Sequence, residues 1–257
     1  MNFEADPLYH VMEATWPPAA VLTCGKWTIR EGRGGGKRVS AATANGPVQS
    51  QDLEAAERAM QVLGQTPLFM LRAGETELDA LLDQAGYDVI DPVHLFQCPI
   101  ATLATERPPK VSIFDLWEPL HIQYDIWQAG GIGPPRWAIM ARVKGAKTSL
   151  FGRWNNCPAA TGFVAVHNRI AMVHAVEVLA HQRGQKVATW LMRAAAFWAA
   201  DQGASQIAVM CTKANCAANG LYSSMGMQLS GFYHYRIQKE AYYEPQKWRH
   251  RPRPAHG

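Results

Sequence analysis

The run Val178-Leu-Ala-His-Gln-Arg-Gly-Gln-Lys-Val-Ala-Thr189 constrains this chain more than any other stretch. Ahead of it, Ala160–Val166 and Ala171–Leu179 read as adjacent strands turned at His167-Asn168-Arg169. Behind it the period changes. Val187, Trp190, Leu191, Ala194 and Trp198 fall at helical spacing, and Gly203 ends that helix. A strand therefore ends in a short polar loop that opens a helix. The first turn of a helix exposes unpaired N–H groups and a partial positive charge, which suits a phosphate. Gly184 and Ala188 are small enough for a ligand to approach the backbone, and Arg183 and Lys186 add charge.

A second stretch follows in order. Ile207–Cys211 reads as a strand, Cys216–Ser224 as a helix and Gly231–Gln238 as a last strand. Between them stands Asn215-Cys-Ala-Ala-Asn-Gly-Leu-Tyr-Ser-Ser-Met-Gly-Met227. Together the two stretches resemble the GNAT superfamily of N-acetyltransferases. The acyl-CoA loop of that family reads Arg/Gln-x-x-Gly-x-Gly/Ala after an earlier Val, and Val178, Arg183 and Ala188 match it here. The family's next segment reads Asn-x-x-Ala-x-x-Leu-Tyr-x-x-x-Gly-Phe. Asn215, Ala218, Leu221, Tyr222 and Gly226 match it, with Ala217 beside Ala218 and Met227 in place of Phe. The departure is Lys186, which replaces the loop's central Gly. The resemblance spans roughly 160–238.

The resemblance implies an α+β fold of three layers, α/β/α, on a mixed sheet with a splayed strand pair formed by Ala171–Leu179 and Ile207–Cys211. It implies acetyl-CoA as co-substrate. Main-chain groups of Val176, Glu177 and Val178 would pair with the pantetheine arm, and Arg183, Gly184, Gln185, Lys186, Val187 and Ala188 would cradle the pyrophosphate. Asn215 would bond the pantetheine or its neighbourhood. An amine would attack the thioester directly. Such an amine must first lose a proton, and the leaving thiolate must gain one. Tyr222 is the expected donor. Glu177, the lone acidic residue between positions 126 and 200, is the candidate base, with pairing to Arg183 as the plainer reading. His174 alternates to the opposite strand face and is the lesser candidate. The acceptor is expected to be a primary amine, on a small molecule or a peptide. The alternative is a non-catalytic acyl-CoA-binding regulatory protein.

The rest of the chain reads as a first lobe, 1–105, and a catalytic lobe, 106–238, with a basic and mobile tail, 239–257. Val21–Arg30 and Lys37–Thr43 suggest a hairpin, Ser50 caps a helix to about Leu63, and Leu68–Arg72 is a strand. Thr76-x-x-Asp79 opens another helix ended by Gly86, and Val93–Cys98 is a strand. This order looks like a degenerate GNAT half. Its Trp27-x-x-Arg30 and Arg38-Val-Ser40 are placed at the substrate interface, with a scaffold role as the default. Glu31-Gly-Arg-Gly-Gly-Gly36 is no Walker loop, because Glu31 stands at the first Gly and Arg38 at the Ser or Thr. Ser112–Gln128 is expected to be helical, interrupted near Pro119. Trp137–Val143 and Thr148–Trp154 stay ambiguous. Trp117, Tyr124, Trp127 and Trp137 either pack or line an amine pocket by cation–π contact.

Charge separates these parts. The net charge of +4 divides into −6 for 1–105, +7 for 106–238 and +3 for 239–257. The +7 lobe suits the phosphates of CoA, and the −6 lobe a cationic amine. Without aromatic interleaving the tail is not expected to bind nucleic acid. The longest apolar stretch, near Trp190–Ala200, is too short for a membrane span. Cys24, Cys98, Cys157, Cys211 and Cys216 are odd in number with no CxxC pair, which argues for free thiols and a cytoplasmic location. His167, His174 and His181 recur every seven residues without completing a zinc pattern, so no metal is expected. A homodimer is left open.

Overall fold

The computed structural model describes residues 7–238. The basic tail at 239–257 lies outside the described residues. Eight described strands form one mixed sheet: β4 (Leu68–Arg72), β5 (Tyr87–Pro99), β6 (Ile113–Leu116), β7 (Lys147–Trp154), β8 (Cys157–His167), β9 (Ile170–Val178), β10 (Gln206–Thr212) and β11 (Gln228–Gln238). Their order is β4-β11-β5-β10-β9-β8-β7-β6. Every neighbouring pair is antiparallel except β9 and β10, which run parallel. Parallel neighbours need a crossover, and the helix α7 (Val187–Asp201) supplies it. A small antiparallel sheet, β1 (Ala20–Cys24), β2 (Trp27–Glu31) and β3 (Thr43–Ala44), meets the main sheet through one bridge from Ala42 to Phe69 of β4.

Helices cover both faces of the main sheet. On one face the apolar stripe of α7 packs through Leu191, Ala195 and Ala199 against Val164, Val173 and Ile207, joined by Tyr222 of α8 (Cys216–Ser224) and by Leu103 of α4 (Ile100–Leu103). The other face carries α1 (Pro7–Thr15), α5 (His121–Ala129) and α6 (Pro134–Arg142). There Trp16, Trp127, Ile139 and Met140 bury against Phe163. The helices α2 (Ser50–Val62) and α3 (Thr76–Gln84) enclose a third cluster around Trp27, Phe69 and Tyr87. The strands expected for the first lobe thus hydrogen-bond into the same sheet as the rest, since β11 sits between β4 and β5.

Several local expectations change. The hairpin is formed by β1 and β2 alone, from Ala20 to Glu31, with Cys24 opposite Trp27 and Gly25 at φ 56° in its tight turn. Lys37–Val39 is a single turn of 3₁₀ helix rather than a strand. The glycines before it let the loop close on α6, where a side chain at Gly35 would meet Ile139 Cδ1 at 2.5 Å. Ser112–Gln128 is no single helix. Ile113–Leu116 pairs with β7 as the edge strand and Phe114 stacks on Phe151 at 6.3 Å. Pro119 keeps the preceding residue out of the helical region, so α5 starts only at His121. Trp137–Val143 falls mostly in α6, opened by Pro134-Pro135, and Thr148–Trp154 in β7. Ser50 begins α2, but the capping bond comes from Asp52 Oδ2, which accepts from the Gln49 N–H at 2.8 Å. Asp79 does not cap α3. It accepts from Arg236 Nε at 2.8 Å and lies 2.9 Å from His234 Nε2.

Candidate active site

The site begins where the parallel pairing fails. Strands β9 and β10 keep register from Ile170 opposite Gln206 to Val173 opposite Val209, and there their ladder ends. Ala175, at φ 51°, makes a bulge in β9 opposite Gly162. Bulges bend the strand that carries them, and the Trp127 indole N–H fixes this one by donating to the Ala175 carbonyl at 2.8 Å. The bulge also resets alternation. His174 lies opposite Phe163 and Glu177 opposite Thr161, so the two share a face. This corrects the expectation that they point apart: strict alternation fails where one strand has an extra residue.

A groove of about 890 Å³ runs through the gap between the strands. At one end lies the loop before α7, whose first-turn N–H groups at Val187, Ala188 and Thr189 precede any intrahelical partner. Lys186 sits at φ 62°, ψ 12°, the left-handed conformation that a glycine adopts freely. The lysine in the family's glycine position therefore keeps the glycine's backbone shape and adds a charge. The groove then passes Val176, Val178 and Asn215 to Tyr222. Asn215 caps α8, with Oδ1 accepting from the Ala218 N–H at 3.1 Å.

Of the residues singled out from sequence, Val176, Glu177, Val178, Arg183, Gly184, Lys186, Val187, Ala188, Asn215 and Tyr222 all line this groove. Gln185 does not. Its side chain accepts from Asn155 Nδ2 at 2.8 Å and is tied down away from the void. Arg183 donates Nε to the Val178 carbonyl at 3.0 Å and Nη2 to Glu177 Oε1 at 3.1 Å. Glu177 packs beside Gly130, at the end of α5. Tyr222 is 4 % exposed and its hydroxyl has no hydrogen-bond partner among the described residues. Burial, and next the neighbouring Cys211, push its pKa up, so it stays protonated.

His174 is engaged at both nitrogens. Arginine can only donate, so Nδ1 accepts from Arg38 Nη1 at 3.0 Å, and Nε2 carries the proton toward Thr15 Oγ1 at 2.9 Å. Thr15 in turn donates to the Val11 carbonyl at 2.6 Å. Burial first, and Arg38 second, hold this histidine well below its usual pKa, so it is neutral and has no nitrogen left for a proton from substrate.

The groove also takes in residues that the sequence did not suggest: Trp16, Ile132 and Arg136. Trp16 lies in the first segment and has no motif around it. The four aromatics weighed for an amine pocket are elsewhere. Trp127 is fully buried, Tyr124 and Trp137 pack at a tilt with ring centres 4.6 Å apart, and Trp117 lies under Lys147 Nζ at 4.6 Å. Trp27 and Arg30 are core residues too, with Arg30 bound to Glu13 at 3.1 Å. Arg38 alone of that group faces the groove. No set of three or more His, Cys, Asp or Glu among the described residues could hold a metal, and no described helix is long and apolar enough to cross a membrane.

Comparison with known proteins agrees with this architecture. Residues 112–227 match the acetyltransferase (GNAT) family. Over 235 residues the chain is 25% identical to the uncharacterized N-acetyltransferase YobR of Bacillus subtilis (strain 168), covering 88% of this chain and 95% of that one. Its fold is like that of a GCN5-related N-acetyltransferase from Kribbella flavida, with a TM-score of 0.68 at 13% identity over 93% of this chain and 97% of that one. A tandem GNAT protein from the clavulanic acid biosynthesis pathway aligns with a TM-score of 0.59 at 11% identity, over 90% and 87% of the two chains. The chain thus resembles the GNAT-family acetyltransferases, above all through residues 112–227.

Proposed function

We propose that this protein transfers an acetyl group from acetyl-CoA to a primary amine by direct attack. The observation that carries the reading is the groove through the gap between β9 and β10, open from the start of α7 to Tyr222. The pyrophosphate sits on the N–H groups at 186–189, with Arg183 and Lys186 beside it. The pantetheine lies along Val176–Val178, near Asn215. Arg183 turns to the phosphates and leaves Glu177, whose carboxylate then takes a proton from the ammonium of the acceptor. The neutral amine attacks the thioester carbon. The C–S bond breaks, and Tyr222 gives its proton to the departing sulfur. The products are an N-acetylated amine and CoA thiol. Five free cysteines suit a reducing cytoplasm for this chemistry.

Calorimetric titration with CoA, followed by thiol release from acetyl-CoA against a panel of primary amines, tests the proposal. Failure to bind CoA sinks it. Binding without turnover of any amine leaves the regulatory binder instead.

A further inference from the structure

This inference rests on the acyl-transfer reading and deepens it by naming the class of acceptor. On the sheet face covered by α1 and α6 the groove meets two arginines. Arg38 is anchored by its Nη1 bond of 3.0 Å to His174 and stands 5.8 Å from the Trp16 ring centre. Arg136 reaches the Gly131 carbonyl at a long 3.4 Å. Burial, and then the charge of Arg38, lower the pKa of Arg136, so the two guanidiniums feel each other.

Apart from Lys186 at the start of α7, the remaining charges along the groove are paired. Lys37 is 2.5 Å from Asp91, and Arg183 is 3.1 Å from Glu177. Neither Arg38 nor Arg136 has a carboxylate partner among the described residues. Two like charges facing one groove and half out of water are unfavourable unless an anion joins them. Guanidinium forks fit carboxylate and phosphate oxygens two at a time. Among the described residues of the acidic segment 1–105, Lys37, Arg38 and Asp91 face the groove, a local balance of +1.

We propose that Arg38 and Arg136 form an oxyanion subsite for the acceptor, so that the amine acetylated here carries a carboxylate or a phosphate. His174 acts as a positioning residue, because its neutral ring holds the Arg38 fork in place. Positive charge beside the amine also favours its neutral, attacking form.

Calorimetry on the full chain tests this with two matched pairs: N-acetyl-L-phenylalanine against its carboxamide, and phosphoethanolamine against ethanolamine. The anionic member of at least one pair is expected to bind about tenfold or more tightly than its neutral counterpart. The pair that discriminates separates carboxylate from phosphate. Arg136→Met and Arg38→Met are each expected to abolish the preference while CoA affinity stays within about twofold. Arg136 makes no contact with His174, so its variant serves if Arg38→Met disturbs folding. Equal affinities in both pairs, no binding of any probe, or a preference that survives both substitutions overturns the inference. CoA binding is read separately. Loss of CoA binding with the anion preference intact defeats only the acyl-CoA reading, and transfer to neutral amines without anion preference defeats only this subsite.

Discussion

Arg183 binds the Glu177 carboxylate through Nη2 at 3.1 Å while its Nε holds the Val178 carbonyl at 3.0 Å. One side chain thus ties the phosphate loop to the candidate base and to the strand along which pantetheine would lie. Arg183→Met is expected to weaken CoA binding by about 10- to 100-fold, the loss of a charge-assisted bond to phosphate. Glu177→Gln should leave CoA affinity nearly intact and lower kcat by about 100-fold or more. Calorimetry beside steady-state rates separates the two, and equal effects of both variants on CoA affinity would contradict these roles.

Tyr222 offers a cleaner probe because its hydroxyl has no partner among the described residues. Tyr222→Phe removes little from the fold, so its melting temperature should match that of the parent. Its kcat should fall about 100-fold or more with KM unchanged. Unaltered turnover would remove Tyr222 from the mechanism.

Gly130 tests the placement of Glu177. Its φ of −85° admits alanine, but a Cβ there would run into the Glu177 carboxylate. Gly130→Ala is expected to push that carboxylate aside and cut kcat by about tenfold or more at nearly constant CoA affinity. Rates at saturating acetyl-CoA check it.

Lys186→Gly should separate strain from charge. The backbone at φ 62° is released from a penalty of about 1 kcal/mol, so urea denaturation should show a gain of that size. The lost ammonium should weaken CoA binding about tenfold. Lys186→Ala should lose the affinity without the gain in stability.

The buried histidine predicts an acid limit. His174 has a folded pKa well below the usual 6.5, through burial and then Arg38. The unfolded chain therefore binds the extra proton first. The stabilisation is complete above about pH 6.5 and is lost as pH falls below it. Denaturation at pH 7.5 and at 5.5 should show this slope, and His174→Gln should flatten it.

The phosphate loop, the helix α7 and the segment from Asn215 to Tyr222 are written in short runs of sequence. Helical spacing from Val187 to Trp198, the apolar strand run at Ala171–Leu179 and a polar loop between them are local signals, and local signals survive without the rest of the chain. Ile113–Leu116 misled because a run of four residues is too short to fix a period, and pairing with β7 decided the outcome.

The acceptor side was not legible in this way. Arg38 lies 136 positions from His174 in the chain, and nothing in either neighbourhood announces that they meet. The bulge at Ala175 depends on Trp127, forty-eight residues away, and it brings His174 and Glu177 to one face. The sequence alone determined the strand–loop–helix unit that suits a phosphate, because hydrogen bonding within one turn and one strand end is local. Only the tertiary structure decided which charges face the groove unpaired, since that depends on partners brought together by packing distant elements on one sheet.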